Sequence, residues 1–234
     1  MIRKEKFVPD EYYHIYSRTI FGLPEFKNNT NANKLAQAFL LANSTKSSQA
    51  FDYLRNDRKA ILENAIEIIR QGEKLVDVLC YAIMPDHYHL LLKEIRENGI
   101  TDFIRRCNTS IAKYINIKTE RKGALFESKF KSKHINSNEY LLHLSLYIHL
   151  NPLDFLSGKG WREHKLKNWQ LEKEGLLRYQ WSSLKTFLYK DYKDLIISGI
   201  DIILDQFNNR KEYELFLQEW STDSLEKIKD IIID

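Results

Sequence analysis

The sequence predicts an α+β fold: a ferredoxin-like split βαβ sandwich with an antiparallel sheet, helices packed on that sheet, and a C-terminal helical extension. Two observations carry this. Segments rich in branched and aromatic residues alternate with amphipathic segments in the order strand, helix, strand, strand, helix, strand. The chain also holds only 8 Gly and 4 Pro in 234 residues, so most of it should be ordered.

The elements follow in order. Tyr12 to Ser17 (YYHIYS) reads as a first strand. Leu35 to Asn43 and Phe51 to Gln71 carry apolar residues at three- and four-residue steps (Phe51, Leu54, Ile61, Ala65, Ile68, Ile69), which is a helical period, with a loop at Ser44 to Ser48. Leu75 to Ile83 is a second strand, and Pro85-Asp86 turns the chain into a third, His87 to Glu94, paired with it as a hairpin. Beyond Asn98-Gly99, Asp102 to Ile117 reads as an amphipathic helix, and Gly123 opens a fourth strand, Ala124 to Ile135. All helices of the sandwich are expected on one face of the sheet. A further helix, Asn138 to Leu150, is expected to be capped by Asn138 and stopped at Pro152, because the residue before a proline is disfavoured in helical geometry. Leu156 to Trp181 shows no clear period, and Tyr192 to Trp220 reads as one or two helices. The expected division is a main domain over 1–188 and a C-terminal helical extension over 189–234.

A hydrophobic content of 43% is enough for one sizeable core. Cys80 and Cys107 have neither metal-type nor disulfide-type spacing, and no N-terminal segment reads as a signal peptide, so a cytoplasmic protein is expected. The longest apolar stretch, Leu75 to Met84, is interrupted by Asp77 and falls far short of the ~20 residues of a membrane span. The net charge of +4 is unevenly distributed: Arg96 to Asn136 holds ten Lys or Arg against four acids, or +6, leaving −2 elsewhere. A basic segment on a near-neutral body fits a polyanion groove, and it also fits a plain solvated face.

His87 and His89 are two apart on a strand, so both imidazoles project from one face while Tyr88, Leu90 and Leu92 turn to the core. Such a pair can chelate a divalent cation, although two solvated histidines leave the same trace. Tyr147 and Asn151 are four apart and share a helix face; without further information each has a structural reading, as a core aromatic and a helix C-terminal residue. Lys129, Lys131 and Lys133 alternate onto one strand face as a phosphate-tracking stripe, with Arg105, Arg106 and Lys113 on the helix before it. His14, His134, His143 and His149 read as structural or solvated.

Five segments together carry a resemblance: Tyr13-His14-Ile15 with Arg18; the run Ala82 to Leu92 (AIMPDHYHLLL); Gly123 to Ser132 (GALFESKFKS); Tyr147-Ile148-His149-Leu150-Asn151-Pro152; and Tyr179-Gln180-Trp181-Ser182-Ser183. In this order, over residues 12 to 188, the chain resembles the HUH single-strand tyrosine transposases, in particular the REP-associated and IS200-like branch. The resemblance implies His87, His89 and Asn151 as ligands of Mg²⁺ or Mn²⁺ and Tyr147 as the nucleophile. It implies single-stranded or hairpin DNA as substrate and a 5′-phosphotyrosine intermediate, in a monomer or a homodimer. The chain departs from the family pattern in carrying Lys129 where relatives usually place Arg, and in a longer insertion from 28 to 71. Two other classes are compatible with these residues: a non-cleaving DNA-binding module on the same fold, and a metal-dependent hydrolase pairing His-x-His with an acid such as Asp86.

Overall fold

The computed structural model describes residues 6–57, 59–158, 161, 166 and 168–222. Residues 223–234 of the expected extension, and part of the aperiodic stretch after Leu156, lie outside the described residues. Four strands, β1 (Tyr12–Arg18), β2 (Val76–Ile83), β3 (His87–Glu94) and β4 (Lys131–Ile135), form one sheet in the order β2-β3-β1-β4 with every neighbouring pair antiparallel. This is the split βαβ arrangement that the sequence predicts.

Alternation along the strands creates two different faces. Tyr13, Ile15, Tyr88, Leu90 and Leu92 enter a core with α1 (Asn29–Ala42) and α4 (Gly99–Lys118), which contribute Leu35, Phe39, Phe103, Ile104 and Ile111. The opposite face is not left to solvent: Leu79, Cys80, Ala82, Leu91 and Ile135 pack with Leu144, Tyr147 and Ile148 of α5 (Asn138–Leu150) and with Tyr213 and Leu217 of α10 (Arg210–Thr222). The two helices of the sandwich, α1 and α4, lie on one face as expected, and α5 and α10 cover the other, to which the sequence reading assigned nothing. In β2 a register shift lies between Val78 and Cys80: Leu79 is the extra residue of a bulge, so the first core receives Val76 and Val78 before it but Tyr81 and Ile83 after it.

Several boundaries differ from expectation for local reasons. The 51–71 helix is two helices, α2 (Ser47–Asn56) and α3 (Leu62–Arg70); at the break Asp57 is extended and its carboxylate accepts the Lys59 N–H, a local bond that competes with helix. These helices pack on α1 through Leu41, Ala50 and Ala65. α4 starts three residues early because the buried Glu94 carboxylate accepts from the Gly99 and Ile100 N–H groups. Gly99 is required there, since a Cβ would stand 2.1 Å from the Leu75 carbonyl oxygen. Only Lys131–Ile135 of the expected fourth strand is regular. Leu125 and Phe126, adjacent in sequence, both enter the α1–α4 core, which breaks strand alternation, and residues 124–130 instead cross the end of β1 through Ile20 N–H to the Leu125 carbonyl and a Thr19–Phe126 bridge.

The cap of α5 is Ser137 rather than Asn138, its hydroxyl accepting from the Tyr140 N–H. Asn151 keeps helical angles (φ −51°, ψ −39°) despite the following proline, and the chain runs straight on into α6 (Leu153–Leu156). α7 (Trp169–Arg178) lies in the stretch that showed no period. α8 (Leu184–Leu188), α9 (Asp201–Leu204) and α10 complete the second core, so the chain beyond 188 shares its packing with α5.

Candidate active site

The sheet face against α5 gathers the chemistry. Arg18 pairs with His87, and Tyr16 with His89, across β1 and β3, which sets His14 on the diagonal from His89. The His87 and His89 rings have centroids 4.9 Å apart, nearly perpendicular. Tyr147, fully buried on α5, meets the His89 ring edge-on at 5.5 Å and the His14 ring at 6.3 Å. Asn151 follows one turn later, its N–H donating to the Tyr147 carbonyl at 2.9 Å.

Each histidine of the pair has its δ nitrogen engaged. His87 Nδ1–H donates to the Asp86 carboxylate at 2.6 Å, and Arg18 stands 3.7 Å from the other carboxylate oxygen. Partial burial pushes Asp86 up, but the His87 bond and charge and the Arg18 charge outweigh it, and its pKa lies below the ordinary value. His89 Nδ1 lies 2.9 Å from His14 Nε2. Burial, helped by the charge of Lys133, lowers the His14 pKa to about 3, so this imidazole is neutral. In a neutral pair one N–H lies along that line, and when His89 Nδ1–H donates to His14 Nε2, His89 presents its ε nitrogen as a lone pair, the tautomer a metal ligand needs.

Whether these residues suit a divalent cation is tested by Asn151. Its carboxamide is 1% exposed, and neither Oδ1 nor Nδ2 makes a hydrogen bond among the described residues. Such an amide is costly to bury unless something coordinates it. Among the described residues no three His, Cys, Asp or Glu side chains form a metal-binding cluster, so a cation here depends on the carboxamide beside the two imidazoles. The set fits.

The predicted cations fall on two faces. Lys131 and Lys133 lie on the His14 side of the sheet, over the rings of Tyr16 and Tyr140 at 5.4 and 5.0 Å. Lys129 precedes the regular strand and, with Arg18, Glu127, Ser128 and Lys131, lines a small cleft at His87. Arg105, Arg106 and Lys113 border a groove between α4 and α1–α2 on the far side of the sheet, and Arg105 and Lys113 also line, with Arg121 and Lys129, a second groove between α4 and residues 124–130. Arg106 is occupied: it donates to the Ser44 carbonyl and the Ser47 hydroxyl, both at 2.7 Å, and Arg105 pairs with Asp102.

Other histidines hold structure. His149 Nδ1 and Nε2 lie 2.8 Å from the hydroxyls of Tyr213 and Ser183, tying α5 to α10 and to the segment before α8; burial lowers its pKa to about 3. His134 meets Glu11, and His143 accepts from the Trp220 indole N–H. What the sequence reading missed is His14 and Tyr16. Their i, i+2 spacing on β1 was the available signal, but which strand they would face depended on the sheet order.

A strand-borne histidine pair, a tyrosine packed against it from a helix and a cationic cleft beside it meet at one place, and residues 43–151, which include the pair and the tyrosine, match the family model described as "Transposase IS200 like". That segment holds His87, His89, Tyr147 and Asn151, and over it the chain is similar to the IS200-like transposases. No curated protein sequence matches the chain. Among solved structures, one titled "Structure of the REP associates tyrosine transposase bound to a REP hairpin" aligns with a TM-score of 0.50 at 9% identity, covering 85% of this chain and 92% of that one. At that identity the likeness concerns the fold. No helix among the described residues is long and apolar enough to cross a membrane.

Proposed function

We propose that the chain cleaves and rejoins single-stranded or hairpin DNA by nucleophilic attack of Tyr147. The observation that carries this reading is the packing of Tyr147 directly against His89, one turn ahead of the buried, unbonded Asn151 carboxamide. The structural neighbour is described as bound to a REP hairpin, which makes a palindromic hairpin the first substrate to try and the REP-associated branch the grouping to propose.

A phenol has a pKa of about 10, so the Tyr147 hydroxyl must give up its proton as it attacks. The new bond joins the tyrosine oxygen to phosphorus, the bond from phosphorus to the 3′ oxygen breaks, and that oxygen takes a proton. The products are a 5′-phosphotyrosine and a free 3′-OH. Because the linkage keeps the ester bond, a second 3′-OH can reverse the step and join new ends. His87, His89 and Asn151 would hold the divalent cation, which when bound neutralises and polarises the scissile phosphate; two imidazoles favour Mn²⁺ over Mg²⁺. Asp86 and His14 hold the two imidazoles in orientation, while Arg18, Lys129 and Lys131 offer charge to the backbone entering the His87 cleft.

Tyr147 is 0% exposed, so its oxygen meets a phosphate only after its cover moves. That burial favours a second reading, a non-cleaving DNA-binding module. A labelled hairpin with Mn²⁺, run on a denaturing gel, separates the readings: a protein-DNA adduct is expected, cleavage without adduct indicates a hydrolase, and a shift on a native gel with neither indicates the binding module.

A further inference from the structure

We propose that Phe21 is a stacking platform for an unpaired nucleobase of the strand that enters the His87 cleft; the inference rests on the single-strand DNA reading above. The Phe21 ring is 88% exposed, more than any other large apolar side chain among the described residues. Its backbone is left-handed (φ 56°, ψ 21°), and Gly22 after it also has positive φ (62°). Together they are the centre of a tight turn closed by the Leu23 N–H on the Ile20 carbonyl at 3.2 Å. Positive φ at both central positions favours Asn or Gly at the first, and a bulky side chain there is strained. The other described non-glycine residues with positive φ, Asp10, Asn98 and Glu120, are all polar. An aromatic ring held in a strained turn and turned into water is an outlier that neither packing nor local geometry explains.

Its position points to the ligand. The turn is fastened to the histidine hairpin by the Thr19 N–H on the Asp86 carbonyl (2.7 Å) and the Phe26 N–H on the Pro85 carbonyl (2.8 Å), and by the Ile20 N–H on the Leu125 carbonyl (2.9 Å) to the segment whose Glu127, Ser128 and Lys129 line the cleft. A Cβ on Gly22 would lie 3.6 Å from the Asp86 carboxylate, the same carboxylate that holds His87. Phe21 thus stands on a turn tied to the His87 hairpin, three residues past Arg18, which with Lys129 and Lys131 lines a cleft that attracts phosphates. A backbone drawn into the cleft leaves its bases to find a surface, and an exposed aromatic ring accepts any base by its π face.

The test uses the full chain, metal-free so that binding is read without cleavage, and two probes: a REP-type hairpin with a short single-stranded tail carrying 2-aminopurine at successive positions, and the same hairpin without the tail. Phe21→Ala is expected to weaken binding of the tailed hairpin by about 5- to 150-fold, the range for loss of one stacked base, with the tailless hairpin unchanged. Wild-type protein should quench one 2-aminopurine position, and Phe21→Trp should keep the affinity within a few fold. Phe21→Gly should lose affinity like Phe21→Ala yet melt at or above the wild-type temperature, because glycine accepts the left-handed turn. Equal affinity of wild type, Phe21→Ala and Phe21→Gly for the tailed hairpin overturns the proposal, as does an equal loss on both probes. A wild-type dimer that dissociates on Phe21→Ala with no change in DNA affinity overturns it too, assigning the ring to a second copy. Wild-type protein that binds neither probe overturns the DNA reading itself, a result distinguishable from all of these.

Discussion

Replacing His149 with leucine should cost stability by an amount that depends on pH in a definite direction. The imidazole is fully buried and bridges the Tyr213 and Ser183 hydroxyls, each at 2.8 Å, so the substitution removes two buried hydrogen bonds worth about 1 kcal/mol each. Ser183 keeps its bonds to the Tyr81 backbone and Tyr213 keeps only a 3.2 Å contact with Ser145, so partial loss of satisfaction brings the expected cost at pH 8 to about 2–4 kcal/mol. The folded pKa, about 3, lies below the ordinary 6.5, so the unfolded chain binds the extra proton. The stability that the neutral imidazole contributes is therefore complete above pH 6.5 and is lost as pH falls toward 3. At pH 5, about 1.5 below the ordinary pKa, wild type has lost about 2 kcal/mol through this residue and the leucine variant none. The gap between them should shrink to about 0–2 kcal/mol; His14 titrates in both proteins and cancels. Urea denaturation at pH 8 and pH 5 measures this. A gap that stays constant or widens in acid would refute a buried, neutral His149 and its role in anchoring the Tyr147 helix.

Further outcomes follow from the site. His87→Ala or His89→Ala should abolish cleavage of a hairpin while leaving its binding largely intact, since the cleft cations are expected to carry binding; near-normal cleavage in either variant would falsify the assignment of the pair. Neutralising Lys129, Lys131 and Lys133 together should flatten the dependence of log affinity on log salt by up to about 2, at ~0.7 per phosphate of a single strand. An unchanged slope places the backbone elsewhere, with the Arg105 and Lys113 groove beyond the sheet as the next surface to examine.

Much of this was legible in the sequence because it rests on short-range periodicity. The β3 alternation puts His87 and His89 on one face, and the four-residue step sets Tyr147 above Asn151, whatever the tertiary fold. The βαββαβ order likewise follows from local patterns. What was not legible depends on long-range contacts. The bulge at Leu79 is visible only against β3. The early start of α4 needs the Glu94 carboxylate, and the irregular 124–130 segment follows from burying both Leu125 and Phe126 across the end of β1. His14 looked like one more structural histidine, because its contact with His89 arises from a sheet order that places β1 beside β3. Arg105 and Arg106 counted as free charge in the sequence; in the fold, ion pairs and backbone carbonyls occupy them.

Tyr147, and no other tyrosine, is the proposed nucleophile. Tyr114 is the rival on α4, within the basic segment, but it lies in the groove beyond the sheet, between the cations Lys34 and Lys118, and has no carboxamide at the fourth position after it. The direct measurement is peptide mapping of the covalent complex trapped with a hairpin and Mn²⁺, together with Tyr147→Phe, which keeps the buried ring and removes one oxygen. The account predicts a nucleotide-modified peptide containing Tyr147, no adduct from Tyr147→Phe despite normal folding and hairpin binding, and an adduct from Tyr114→Phe. A modified peptide containing Tyr114, or an adduct that persists in Tyr147→Phe, would contradict it.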